Sequence, residues 1–265
     1  MADAPHVIVQ TEGHVATVTM NRPEARNAFG AQMLVQLADA WVAVDADPQV
    51  RVVILTGAGG HFCAGSDLKA MAGGWKDDVW SARFKEDPDI HWKALLRHYR
   101  VKKPLVAAVE GTAVAGGTEI LQGTDIRVAG ASAKLGVAEA RWGLFPLGGS
   151  TVRLRRQIPY TLAMDLLLTG RHITAEEALR IGLIGRVVPD GQALAEARKI
   201  ADQIAANGPL AVQAIKRSVI ETEGLPEKEA LARELEIGWP ILSTEDAKEG
   251  PRAFMEKRKP DFKGK

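Results

Sequence analysis

Two glutamates, Glu119 and Glu139, stand in apolar, glycine-rich surroundings, "TAVAGGTEILQG" (112–123) and "AKLGVAEARWGLFP" (133–146). They lie 20 residues apart, one in each of two successive strand-and-loop units. A buried carboxylate is costly unless it is paired, hydrogen-bonded or protonated. Two of them facing one pocket could share protons and place a water for acid–base work. A blander arrangement is also open: Glu139 pairs with nearby Arg141, and Glu119 simply opens a helix, where negative charge is favoured. Glycines add a second element. Gly65-Ser66 before "DLKAM" and Gly116-Gly117 before "TEIL" present backbone N–H groups at helix starts. Two such donors aimed at one point would form an oxyanion hole, although tight turns ask for the same glycines.

Other chemistries fit less well. The loop at 57–65 follows a strand, but G-x-G-x-x-G needs glycine at 62, where Phe62 stands. A Thr-Gly-x-x-x-Gly dehydrogenase pattern meets His61 at its last glycine, and Tyr99 with Lys103 matches Tyr-x-x-x-Lys, a pattern common by chance. The six histidines form no His-Glu-x-x-His or clustered set. Ser66 sits in "CAGSD", without the first glycine of Gly-x-Ser-x-Gly. Cys63 has no evident base beside it and reads as a small buried hydrophobe.

The elements that must position these groups follow from pattern. Residues 6–11 and 14–20, β-branched and split by Glu12-Gly13, predict a hairpin. Met33, Leu34, Leu37, Trp41 and Val44 predict a helix over 30–45. "VRVVILTG" (50–57) and "KPLVAAVEG" (103–111) are apolar enough for strands buried on both faces, and "DIRVAG" (125–130) predicts another. Residues 112–123 read as a glycine loop opening a helix, and 133–146 as a third loop. Residues 71–102 are less regular and carry Trp75, Trp80, Phe84, Trp92 and Tyr99, an apolar load expected to fold over something. Beyond Pro159 the texture turns helical. Thr174 with Glu177 predicts a capping box, and helices are expected over 191–206, 209–223, 226–237 and 244–258. The sequence therefore divides into an α/β core over 1–195 and a helical region over 196–265.

Composition narrows the setting. The chain has 265 residues, 34 Lys and Arg against 33 Asp and Glu, and one cysteine. One cysteine excludes a disulfide framework and a Cys-rich zinc site. A net charge of +1 supplies no field for nucleic acid. The start "MADAPHVIVQ" lacks a basic and then apolar leader, and no run reaches a membrane span, so a cytoplasmic protein without a membrane or nucleic-acid partner is expected. The neutrality hides a basic end: residues 252–265 hold six cations against Glu256 and Asp261.

Taken together, "NRPEARNAF" (21–29), "VVILTGAGGHFCAGSDLKAM" (52–71), "KPLVAAVEGTAVAGGTEILQGTDIRVAGASAKLGVAEARWGLFPLGGS" (103–150), "LLLTGRHITAEEALRIGLIGRVV" (166–188) and "AFMEKRKPDF" (253–262) resemble the crotonase, or enoyl-CoA hydratase/isomerase, superfamily. The likeness covers almost the whole chain in family order. It implies an α/β spiral of ββα repeats with a C-terminal helical trimerisation region, assembled as a homotrimer or a hexamer made of two trimers. It implies an acyl-CoA thioester as substrate, with CoA part of the substrate and no separate cofactor. The thioester oxygen would meet the backbone N–H groups of Ser66 and Gly116. Glu119 and Glu139 occupy the two positions that carry glutamates in the hydratases. The implied reaction is syn addition of water to a trans-2-enoyl-CoA, in fatty-acid or related β-oxidation, with bulky or sterol side-chain acyl groups included. Glu139 would deliver a proton to C2, and Glu119 would hold and deprotonate the water. CoA contacts are expected from Arg26, Ala28, Ala64, Asp67, Leu68 and Lys69, with Lys257 contributed from a neighbouring subunit's basic tail.

Three positions depart from the family pattern. Ser66 replaces the more usual alanine, Thr118 precedes the first glutamate where a smaller residue or cysteine is common, and Trp142 follows Glu139 closely. Together with the aromatic 71–100 segment, Trp142 points to a branched or polycyclic acyl group. An enoyl-CoA isomerase needs only one strong acid–base carboxylate and is the in-family alternative. An RNA-binding relative without catalysis is the alternative outside it, but no basic stripe with interleaved aromatics supports that.

Overall fold

A computed structural model describes residues 4–74 and 78–265. Trp75 therefore lies outside the described residues. The hairpin is present as β1 (Val7–Glu12) and β2 (Val15–Met20), antiparallel with Val7 opposite Met20 and Glu12 opposite Val15. Next to it run β3 (Val52–Gly57), β4 (Leu105–Val109), β6 (Ile126–Gly130) and β9 (Arg186–Val188), all parallel, in the order β1-β2-β3-β4-β6-β9. A smaller sheet holds β5 (Thr112–Val114) parallel to β7 (Lys134–Gly136), which pairs antiparallel with β8 (Ile173–Thr174).

The apolar runs of β3 and β4 are explained by burial on both faces. Val53, Leu55 and Ala107 join one core cluster with the helix Ala31–Ala46. Val52, Ile54, Val106 and Ala108 face the other way, onto Ala197, Ile200 and Ala201 of the helix Ala193–Ala205. The boundary drawn at 195/196 falls inside that helix, which packs with the core. The helices Pro209–Glu221, Glu227–Gly238 and Glu245–Met255 follow. Their surface leaves Ile215, Val219, Leu231 and Leu235 exposed, as is Trp239 in the turn Trp239–Ser243. The tail returns to the core, where Arg51 donates to the carbonyls of Ala205 (3.1 Å) and Phe262 (2.7 Å). No helix among the described residues is long and apolar enough to cross a membrane.

Some expectations need adjustment. The segments 112–123 and 133–146, read as loops, each contain a three-residue strand, β5 and β7. Runs that short carry no measurable period, and only their pairing reveals them. The predicted capping box is half formed. Thr174 accepts the Glu177 N–H at 3.1 Å, but the Glu177 carboxylate turns to Arg171. Tyr99 and Lys103 serve the fold. The Tyr99 hydroxyl donates to Asp45 at 3.1 Å, and the buried Lys103 ammonium donates to the carbonyls of Val44 and Asp47. A cation belongs there, at the carbonyl end of the helix Ala31–Ala46.

The region after β3 folds as the helices Leu68–Gly73, Val79–Glu86 and Ile90–Ala94. Trp80, Phe84 and Tyr99 pack on the core, and the buried indole N–H of Trp41 donates to Ala94 O at 3.0 Å.

Backbone proximity at one point is extreme. A Cβ on Gly117 would lie 2.3 Å from the Cys63 carbonyl oxygen. Gly117 sits inside the helix Gly116–Leu121, where alanine would ordinarily stabilise by about 0.5–1 kcal/mol. Gly117→Ala is expected to do the reverse and cost about 1–3 kcal/mol through overpacking. The sign of the shift in a denaturant-unfolding midpoint checks this.

Candidate active site

The site begins with the chain segment 63–67 threaded between two neighbours. Phe29 N donates to Gly65 O (2.8 Å) and Asp67 N to Phe29 O (3.0 Å), a short bridge that leaves the Ser66 N–H out. On the other side, Cys63 N donates to Thr112 O (2.8 Å) and Val114 N to Cys63 O (3.0 Å). Asn27 pins the loop from below. Its amide donates to the carbonyls of Ala58 (3.0 Å) and His61 (2.7 Å) and its oxygen accepts Arg22 N (2.8 Å). Gly65 takes φ +87°, and a Cβ there would lie 2.8 Å from the Ala115 Cβ and 3.0 Å from Gly116 N. Only glycine allows that approach.

Gly116 is the first residue of its helix, so its N–H has no partner within the helix. The residue before it, Ala115, holds φ 51° and ψ −126°, a region that alanine avoids. Its own N–H is tied to Gly136 O at 2.7 Å. The twist follows the end of β5, and Gly116 N lies beside Gly65 at the Ser66 loop. Ser66 and Gly116 then line the same cavity, of about 590 Å³.

Glu119 and Glu139 open onto that cavity too. Glu119 is 4% exposed. Its carboxylate accepts Gly148 N at 3.0 Å and Ser150 N at 3.2 Å. Ser150 starts the helix Ser150–Gln157, so an anion is held at a helix N-terminus. Burial pushes the Glu119 pKa up, while these two amides, the Ser150 side chain and the charge of Arg153 pull against it. Glu139 is 9% exposed and sits in the short turn Glu139–Trp142. Its Oε2 has no hydrogen-bond partner among the described residues. Burial, then the nearby charge of Glu119, push its pKa up to about 7. Of the blander arrangements, a Glu139–Arg141 ion pair is absent among the described residues, whereas Glu119 does lie in the first turn of its helix. The Arg141 side chain runs beside Gly170, where an added Cβ would meet its Cγ at 2.6 Å. Glu119 turns away from its own helix to the N-terminus of another.

The rest of the cavity wall is mostly apolar, with Ser81 and His91 as its further polar side chains. Met71, Phe84, Trp92 and Leu95 come from the segment between β3 and β4, and Leu144, Phe145 and Leu147 from the stretch after Glu139. Trp142 is exposed and does not line it.

The residues expected at CoA are arranged around the Ser66 loop, and none lines the cavity itself. Arg26, at φ 49°, and Lys69 are exposed, as is Leu68. Ala28 is buried, and Ala64 N donates to Arg26 O at 3.0 Å. Asp67 is spoken for. One oxygen caps the helix Leu68–Gly73 and the other meets Arg22 at 2.7 Å, which holds its pKa below the usual carboxylate range despite the cost of burial. Lys257 lies exposed on the C-terminal segment, away from the cavity lining of its own chain. Cys63 is fully buried, with its thiol pushed up to about 12 by burial. It donates to Asn27 O at 3.1 Å, a packing and hydrogen-bonding role. Among the described residues, no group of three or more His, Cys, Asp and Glu is placed to hold a metal ion.

Sequence reasoning missed Gly148 and Ser150, the partners of Glu119, and Arg22, the partner of Asp67. The Gly-Ser step opening "GGSTVRLRRQ" is a helix-start signal that could have pointed to Ser150.

Residues 10–265 match the family model described as enoyl-CoA hydratase/isomerase. The chain belongs to the enoyl-CoA hydratase/isomerase family. Among curated relatives, it is 59% identical to the enoyl-CoA hydratase EchA19 of Mycobacterium tuberculosis, over 98% of this chain and 97% of that protein. It is 40% identical to the (E)-benzylidenesuccinyl-CoA hydratase of Thauera aromatica, over 97% and 99%. Among solved structures, the enoyl-CoA hydratase EchA1 of Mycobacterium marinum matches with a TM-score of 0.90 at 42% identity, covering 99% of this chain and 100% of that one. The α/β crotonase fold expected from the sequence is the fold observed.

Glu139 supplies a pH test in this family member. Its folded pKa, about 7, stands above the unfolded value of about 4.3. The associated stability is therefore complete below pH 4 and lost as pH rises through 7. Glu139→Gln, neutral at every pH, escapes that loss. The variant is expected to gain on the order of 2–3 kcal/mol over the parent between pH 5 and pH 8. Denaturant unfolding at the two pH values reads it, and a flat difference would refute the assignment.

Proposed function

We propose that this chain is an enoyl-CoA hydratase that adds water syn across a trans-2-enoyl-CoA to give a 3-hydroxyacyl-CoA. The observation that carries the reading is the convergence of two buried glutamates with opposite support on a cavity edged by two unused amides. Glu119, held by Gly148 N and Ser150 N, is the carboxylate equipped to stay charged. Glu139, with an unpartnered oxygen and a pKa near 7, is the one equipped to carry a proton at neutral pH. In the proposed reaction the thioester oxygen sits on the Ser66 and Gly116 amides, which draw charge from C3. Water held by Glu119 attacks C3 and gives its proton to that carboxylate. The π electrons shift to C2, which takes the proton of Glu139. Solvent exchange then resets the two carboxyl groups. The thioester and the two amides stabilise the enolate, so the reading calls for no metal or redox cofactor.

The CoA part of the substrate is assigned to the surface around the loop, with Arg26 and Lys69 meeting phosphates. Ala28, Ala64 and Leu68 shape the groove, while Asp67 acts through the loop geometry it fixes with Arg22. Lys257 reaches CoA only from a neighbouring subunit. A homotrimer or a hexamer of two trimers is supported by the exposed apolar residues of the C-terminal helices, such as Ile215, Val219, Leu231 and Leu235. Cytoplasmic residence belongs to the same proposal.

The large apolar cavity favours a bulky acyl group, branched or ring-bearing. A relative named for a benzylidene-bearing thioester fits that preference.

Glu119→Gln and Glu139→Gln should each lower hydration by about 10²–10⁴-fold without unfolding the protein. The loss of enone absorbance at the thioester, together with circular dichroism, reads both. Retained hydratase activity in Glu119→Gln would refute its role and favour an isomerase. In a thioester series, ring-bearing or branched enoyl-CoAs should exceed crotonyl-CoA at least tenfold in kcat/KM. Far faster turnover of crotonyl-CoA would discard the bulky-substrate reading.

A further inference from the structure

One polar ring in the cavity wall has no part in the hydration chemistry. His91 lies on the helix Ile90–Ala94, within the segment between β3 and β4, and lines the same cavity as the two glutamates. Its ring stacks on Trp92, with centroids 4.6 Å apart and planes at 28°, and it meets Phe84 edge-on at 6.4 Å. Trp92 is steadied in turn by the Arg97 guanidinium, 5.2 Å from its ring centroid. Arg97 itself donates to Leu147 O at 2.9 Å, across the pocket's other wall. The imidazole is thus oriented by aromatic contacts, while no described residue hydrogen-bonds its nitrogens.

The remaining polar side chains of the lining are accounted for. Glu119 and Glu139 act on water and C2, and Ser66 belongs to the thioester end. The Ser81 hydroxyl is engaged with Asp78, donating to its carboxylate at 3.0 Å and accepting its N–H at 3.4 Å. The neighbours of His91 on its wall, Phe84, Trp92, Met71 and Leu95, offer packing and, from Trp92, one indole donor. Its place is on the acyl wall, on a different element from every group assigned to the reacting carbons.

We infer that His91 is a specificity-determining residue that hydrogen-bonds a neutral oxygen, a hydroxyl or a ketone, on the acyl group beyond the reacting carbons. The inference rests on the hydratase reading and names the substrate class for the same site. A neutral imidazole has one donor and one acceptor, so it serves either oxygen group. Half-burial keeps the ring neutral by depressing its pKa, which favours a neutral partner over a carboxylate. A purely hydrocarbon acyl group filling the cavity would displace water from the imidazole and give nothing back, and unpaired polar groups are what sites reject most strongly.

The test uses matched trans-2-enoyl-CoA thioesters carrying the same saturated ring, one plain, one ring-hydroxylated and one ring-keto. The parent protein is expected to favour the oxygenated members by about 10–100-fold in kcat/KM. His91→Phe, which keeps the stack and removes the nitrogens, should erase that ratio. His91→Gln, which keeps a donor and an acceptor, should retain part of it. Equal handling of the three thioesters by the parent, or a ratio that survives in folded His91→Phe, overturns the inference. Dissociation constants for the corresponding saturated acyl-CoAs, measured by calorimetry, give the same ratio without turnover. A parent that hydrates nothing but shows a binding preference lost in His91→Phe would overturn the hydratase reading and leave His91 standing.

Discussion

The backbones at Cys63–Ser66 and Ala113–Gly117 touch with no side chain between them, and most of the site depends on that contact. Cys63 and Ala113 pair as an isolated parallel bridge, and neither Gly65 nor Gly117 has room for a Cβ. Widening the gap by one methyl group would move the Ser66 and Gly116 amides apart, and an oxyanion site depends on donors fixed near 3 Å from a single point. The buried thiol of Cys63 fits here: small enough for the space, and able to donate to Asn27 O and accept from Gly65 N. The strained Ala115 and the small sheet follow from the same constraint. β5 must end within reach of the loop, and its pairing with β7 sets where Glu139 emerges.

The electrostatics of the pair grow from position. Both glutamates are buried, and burial raises both pKa values. What separates them is the neighbourhood. Glu119 meets two amides near a helix start and the charge of Arg153, whereas Glu139 meets the charge of Glu119 and its own backbone N–H, and its Oε2 has no partner among the described residues. A pair raised together but supported so unequally can divide the roles of acid and base between its members.

Much of this was legible in the residues. The helix Ala31–Ala46 and the buried strands β3, β4 and β6 followed from apolar spacing, and Glu119 and Glu139 stood out because carboxylates are rare among glycines and alanines. The three-residue strands β5 and β7 were not legible, since a strand that short is defined by its partner alone. Nor were the amides of Gly148 and Ser150 as the support of Glu119, because a backbone donor leaves no mark on residue type. Asp67 shows the converse difficulty. Its identity is visible, but the structure spends both oxygens on Arg22 and a helix cap. His91 was passed over because a lone histidine among aromatics carries no motif, and only the cavity gives it meaning.

Arg153 binds the two consecutive carbonyls of Leu96 and Arg97, at the end of the segment that builds the aromatic wall. It also belongs to the helix whose first amide grips Glu119. The wall itself is a detour between two strands that pair directly with each other, so its sequence can change without disturbing the β3–β4 register. The detour is nevertheless strapped to the helix that positions the Glu119 carboxylate. Pocket shape and the seat of Glu119 are mechanically joined in this molecule. A lineage that remodelled the wall to admit a new acyl group would feel the change at Glu119, and it would have to retune that strap before the new substrate reacted as fast as the old.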